Sequence, residues 1–189
     1  LDMLGKMATN EPEKYAKFWT QFGPVLKEGP SEDHNNREKI AKLFRFASST
    51  SDSAATDVSL TDYVSRMKEG QDKIYFLTGD SHSVINNSPY LEIFRKHGVE
   101  VILMSDRIDE WMMGYLTEFD GKSFQDIARG ELDLSKITGE EPKAEDADKK
   151  EGDDSEQGTL LKRINTLLDG KVEEVRTTTR LTSSPACLV

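Results

Sequence analysis

Two short apolar runs constrain this chain more than any other feature. Lys73 to Thr78 (KIYFLT) and Val99 to Met104 (VEVILM) each read as a strand buried on both faces. Between them Ser88-Pro89 opens a helix carrying Leu91 and Phe94, which Gly98 stops. Two such strands joined by a helical crossover pair in parallel. Upstream, Ser59 and Asp62 form an S-x-x-D capping pattern ahead of Leu60, Tyr63, Val64 and Met67, so the order becomes helix, strand, helix, strand. Residues 59 to about 127 are therefore expected to form an α/β unit, with Phe124 to Ala128 (FQDIA) as a candidate edge strand.

The stretch after the second run, Ser105 to Lys122, predicts a further helix. Ser105 and Asp106 are N-cap residues, and Asp109 and Glu110 place negative charge in the first turn, where the helix dipole favours it. Ile108, Met112, Tyr115, Leu116 and Phe119 recur at helical spacing as an inward stripe. Trp111 falls on the edge of that stripe, and Arg107, Glu110 and Gly114 lie beyond it. A mid-helix glycine costs roughly 1 kcal/mol against alanine. Gly114 would leave a flat spot beside the tryptophan where a partner can approach, whereas the simplest role for an indole in this position is core packing.

Residues 1 to about 50 read as helices. Leu1, Leu4 and Met7 share a helical face, and Asn10 can cap a helix that has Glu11 and Pro12 in its first turn. Tyr15, Phe18, Trp19 and Phe22 follow at helical spacing until Gly23-Pro24 interrupts the pattern, and Gly29-Pro30 ends it. A last helix spans about Asn36 to Ala47, with Ile40, Leu43, Phe44 and Ala47 inward. These stripes predict a small antiparallel bundle with Trp19 in its core. Ser48 to Asp57 is a polar, turn-rich connection.

The C-terminal third changes character. Glu131 to Glu156 holds 11 acidic and 4 basic residues, net −7, so most of the chain's net charge of −10 lies there. With few apolar residues it reads as a flexible acidic linker. Leu160, Leu161, Ile164, Leu167 and Leu168 then make a helical stripe stopped by Gly170, and Lys171 to Leu181 reads as a strand from its β-branched content. The fold class expected is α/β. A helical bundle (1–58) is followed by a three-layer α/β/α subdomain with a short parallel sheet (59–130). The acidic linker (131–157) then leads to the first helix and strand of an α+β domain (158–189).

Composition narrows the function. A hydrophobic fraction of 35% against 32% charged describes a polar chain, and no apolar run approaches the ~20 residues of a membrane span. The acidic balance disfavours nucleic-acid binding, which rests on Lys and Arg at phosphates. A single cysteine, Cys187, leaves no internal disulfide framework and fits a reducing, cytoplasmic setting. Both ends read as cut, so a longer parent polypeptide is expected.

Candidate chemistry is sparse. Asp80-Ser81-His82 suggests a hydrolase or nucleotide-binding enzyme on the α/β unit, but a serine nucleophile needs a base oriented from elsewhere, and a helix cap at Asp80 or Ser81 is the simpler role. Asp146, Asp148 and Lys150 mimic the start of a calcium loop, with a cation in the fifth position and Gly152 one place late. His34, His82 and His97 show no metal-ligand spacing. Asp106, beyond the carboxyl end of a strand, is a weak ligand hint. No phosphate loop or dinucleotide fingerprint is present.

Against that background, several motifs resemble the heat-shock protein 90 chaperones, particularly their bacterial form. DRIDEWMMGYLTEFDGK carries the resemblance most specifically. FWTQFGPVLKEGPSED, KIAKLFRFASS, SLTDYVSRMKEGQDKIYFLTGD and VRTTTRLTSSPA match in the same order, covering essentially all 189 residues. The resemblance implies the later part of a middle domain, a linker and the start of a C-terminal domain. The nucleotide pocket, the catalytic-loop arginine and the dimerising helices fall outside, so this chain should hydrolyse nothing. ATP and magnesium would belong to the parent, a homodimer. The implied partners are unfolded or partly folded client proteins, together with co-chaperones, rather than nucleic acid or membrane. By position, the family's client surface falls on Glu110, Trp111 and Gly114, with Met113 and Arg107 as weaker members. Gly114 departs from the asparagine of many bacterial members and so lacks one polar contact.

Overall fold

A computed structural model describes residues 1–130, 132–139, 156–168, 170–178 and 180–188. The chain begins with helices α1 (Asp2–Asn10) and α2 (Pro12–Leu26). Pro12 occupies the first turn of α2, where a missing N–H is harmless. Asn10 ends α1 rather than capping α2, and α2 runs through Gly23-Pro24 to Leu26. Gly29-Pro30, expected to end the segment, instead opens the short α3 (Gly29–Glu32). The helix expected over 36–47 is also shorter. A 3-10 turn, His34–Asn36, precedes α4 (Arg37–Ala41), and Ala47 already belongs to strand β1 (Ala47–Ser48).

The α/β unit forms as its caps and apolar runs dictate. Helix α5 (Leu60–Ser65) starts on a reciprocal capping box: Asp62 N donates to Ser59 Oγ at 3.0 Å, and Ser59 N donates to Asp62 Oδ2 at 3.4 Å. Strand β2 (Lys73–Thr78) leads to α6 (His82–Asn86). A 3-10 turn capped by Ser88 then enters α7 (Glu92–His97). Gly98, at φ 60°, ends α7 in the left-handed conformation that glycine adopts without strain. Strand β3 (Ile102–Met104) pairs in parallel with β2, with Phe76 opposite Ile102, as the crossover demands.

Beyond β3 the structure departs from the sequence pattern. The helix expected from Ser105 to Lys122 is the single short α8 (Asp109–Met113). A hairpin of β4 (Glu118–Phe119) and β5 (Lys122–Asp126) replaces the rest. Its two-residue loop is Asp120-Gly121, at φ 50° and 69°, the paired positive angles of a type I′ turn. An Asp-Gly pair favours that turn strongly enough to override a helical repeat of apolar residues. The strand expected at 124–128 is therefore β5. It lies inside the sheet rather than at its edge, parallel to β2, with β4 outermost. The sheet order is β1-β3-β2-β5-β4, with β1 and β4 antiparallel to their neighbours.

Side-chain alternation divides the core in two. Ile74, Phe76, Ile102 and Met104 face one cluster, which also holds Tyr15, Trp19, Phe44, Leu60, Tyr63, Met112 and Phe119. Tyr75, Leu77 and Leu103 face the other, with Ile85, Leu91 and Phe94 from the α6–α7 side. The buried face of α2 thus packs into the same core as one face of the sheet. Phe22, expected inward with Tyr15 and Trp19, is exposed.

The C-terminal part contains α9 (Ser135–Thr138) and α10 (Glu156–Leu167), the latter followed by Gly170 at φ 71°. The strand expected over 171–181 is absent among the described residues, which form no ladder there. Threonine and valine content favours a strand only where a neighbouring strand is available to pack against. Most of the acidic linker, and the calcium-like positions 146–152, lie outside the described residues.

One polar cluster ties the helical layer to α8. Lys27, at the end of α2 and 2% exposed, donates from Nζ to Asp106 Oδ2 at 2.7 Å and to Asp109 Oδ1 at 2.6 Å. The second oxygen of Asp109, Oδ2, accepts from Asp106 N at 2.9 Å. The ammonium also lies over the Phe46 ring, 4.8 Å from its centroid. Burial pushes the Asp109 carboxyl above its ordinary range, and the Lys27 ammonium pulls it back. Removing the cation should therefore leave an unpaired buried charge. Lys27→Met is expected to lose about 3–5 kcal/mol in urea unfolding at neutral pH. Pairing it with Asp109→Asn should return much of that loss. The single variant's deficit should shrink as pH falls, because a carboxyl with a raised folded pKa binds its proton more tightly in the folded state.

Candidate functional site

Helix α8 has five residues, far below the ~12–15 at which a helix is marginally stable alone. Its orientation is imposed by what it buries. Asp109 and Met112, three residues apart on one face, are 1% and 0% exposed. Helical geometry then turns Glu110, Trp111 and Gly114 outward, and all three are exposed. Trp111 keeps 43% of its surface accessible. Its ring lies 4.8 Å from that of Tyr115, tilted by 55°. Tyr115, read from the sequence as part of the inward stripe, retains 36% exposure. Tyr115 lies four residues after Trp111, just past the end of α8, with its amide on the Met112 carbonyl at 2.9 Å, and its ring rests beside the indole rather than in the core.

The sequence-predicted residues divide accordingly. Arg107, Glu110, Trp111 and Gly114 share the exposed side of α8 and its flanks, while Met113 is half-buried and packs against the first core. Glu110 Oε1 accepts a long hydrogen bond, 3.4 Å, from Thr78 Oγ1 at the end of β2. Gly114 has an ordinary helical backbone, and a Cβ there would sit 3.2 Å from the Trp111 carbonyl oxygen. A larger residue at this position would therefore need only a small adjustment. The feature missed from sequence is Tyr115 as the indole's partner, which the i,i+4 aromatic spacing on a helix end would have signalled.

The alternative site assembles differently. Ser81 is the N-cap of α6, its Oγ accepting from Val84 N at 3.4 Å. His82 Nε2 is buried without a hydrogen-bond partner and makes no bond to that hydroxyl. Asp106 accepts from Lys27 Nζ at 2.7 Å. No group of three metal-ligating side chains occurs among the described residues. Among the same residues no helix is long and apolar enough to cross a membrane. The exposed side of α8 presents an aromatic, solvent-facing ridge with acidic and basic flanks.

Comparison with known proteins bears on the family to which the chain belongs. The family model described as Hsp90 protein matches residues 1–189. The chaperone protein HtpG of Dechloromonas aromatica (strain RCB) is 57% identical over 189 residues, covering 100% of this chain and 29% of that protein. The chain thus spans under a third of the relative's length. A match over every residue, together with this identity, shows that the chain belongs to the Hsp90 family.

Proposed function

We propose that this chain supplies a client-contacting surface of an ATP-driven molecular chaperone, with Trp111 as its principal anchor. The observation that carries the proposal is the exposed Trp111–Tyr115 pair on a helix whose other face is pinned by buried contacts. An indole and a phenol with accessible faces offer apolar area and polar edges to an extended, partly folded chain without demanding a fixed sequence. Glu110 and Arg107 flank the ridge with opposite charges, Gly114 keeps its surface flat, and Met113 adds a pliable apolar margin. Burying one such side chain is worth roughly 1.5–3 kcal/mol before ordering costs, so each contact is weak and reversible. That suits a protein that must hold a client and release it.

In this reading the ATP and magnesium chemistry belongs to parts of the parent protein outside these residues. Residues 1–58 and 59–130 act as the middle-domain support, 131–157 as the linker and 158–189 as the start of the next domain. In the same reading the parent is cytoplasmic and homodimeric, with co-chaperone partners.

Titrating the chain with a labelled unfolded client, read from the client's fluorescence anisotropy, tests the assignment. Trp111→Ala should weaken binding roughly tenfold or more. Equal affinity of the two chains would remove Trp111 from the site, and ATP turnover by the purified chain would contradict the division of labour.

A further inference from the structure

A second feature lies at the other end of the chain. The Glu92 carboxylate, in the first turn of α7, accepts hydrogen bonds from three successive backbone amides. Oε2 takes Thr182 N at 2.7 Å and Ser183 N at 2.8 Å, and Ser184 N lies 3.1 Å from Oε1. The hydroxyls of Thr182 and Ser184 donate to the same carboxylate. Consecutive N–H groups converging in this way form an anion-binding nest. Here the anion is a side chain about 90 residues earlier in the sequence. Two residues before the nest, Arg180 is 4% exposed and donates from Nη2 to the Gly130 carbonyl beyond β5.

We propose that residues 180–184 are a releasable strap, clasped to the α/β layer by two anchors of opposite charge: Glu92 reaching into the strap and Arg180 reaching out of it. Three observations support this. The segment has no regular secondary structure to hold it. Arg180 is the one buried residue described between 171 and 188, so no apolar core seals the strap down. The converging amides hold the Glu92 carboxyl well below the usual carboxylate range, as a charge-assisted contact should. A segment attached by polar contacts at a rim opens locally, at lower free energy than the core it lies on. The strap therefore sets whether the chain beyond α10 moves with the α/β unit or apart from it.

Amide hydrogen exchange on the intact chain tests this. In the wild type, the amides of Thr182, Ser183 and Ser184 should exchange through local opening, faster than those of β2 and β3 and with little response to low denaturant. Glu92→Gln should speed exchange at the three strap amides at least about tenfold, the equivalent of one lost hydrogen bond to a charged group, and Glu92→Ala further. Ser184→Ala, which keeps the amide contacts, should have the smaller effect. Strap amides that exchange only with global unfolding in the wild type would overturn the proposal. So would unchanged strap exchange in Glu92→Gln, or equal acceleration of β2 and β3.

Discussion

A single ammonium group set among aromatic rings decides how the middle of this molecule is arranged. Lys27 approaches from the end of α2 and meets Asp106 and Asp109, which lie 79 and 82 residues further along the chain. Desolvating these charges is expensive, and the geometry offsets that expense by giving Lys27 two carboxylates and Asp109 both the ammonium and a backbone amide. A hydrophobic replacement of such a group can pack as well, but it does not dictate which face of α8 turns inward. With Asp109 fixed by its partners and Met112 in the first core, Trp111 has only the outward direction left. The exposed indole is a consequence of a buried salt bridge.

The sheet relates this surface to the strap. Ile102 and Met104 of β3 face the core that receives Met112 of α8, while Leu103 faces the core that receives Phe94 of α7. The aromatic ridge and the Glu92 anchor thus stand on helices packed against opposite faces of one short, mostly parallel sheet. β3 passes between them with side chains in both cores. A movement at either helix would have to be accommodated across close-packed layers, which resist small continuous deformation.

Local signals in the sequence suffice where structure depends on neighbours in the chain. The Ser59–Asp62 box, the Ser88-Pro89 start, the Gly98 stop and the strand at Lys73–Thr78 stand as their patterns indicate, while the run from Val99 to Met104 forms a parallel strand only over Ile102–Met104. Glu110 and Gly114, set beyond the inward stripe, are exposed as expected, whereas Trp111, set on its edge with core packing as its simplest role, turns outward because Asp109 and Met112 take the buried face. The failures have two physical sources. At Asp120-Gly121 two local signals competed: the helical recurrence of Leu116 and Phe119 concealed a turn pair that needs only two residues to reverse the chain. At Lys27 and at Glu92 there was no local signal to find. A lysine in a helical segment and a glutamate in a first turn look like ordinary surface charges, and only tertiary contact reveals one as buried and the other as a clasp. The 171–181 segment shows the same limit from the other side, since strand-forming residues need a partner strand.

The most direct measurement isolates the exposed indole. The chain has two tryptophans, so Trp19→Phe leaves Trp111 as the sole reporter. Its quenching by acrylamide can then be followed with and without a saturating unfolded client. The account predicts long-wavelength emission and efficient quenching in the free chain, with a clear fall in quenching once client is bound. An indole that resists the quencher from the start, or one whose accessibility is unchanged by client, would contradict it.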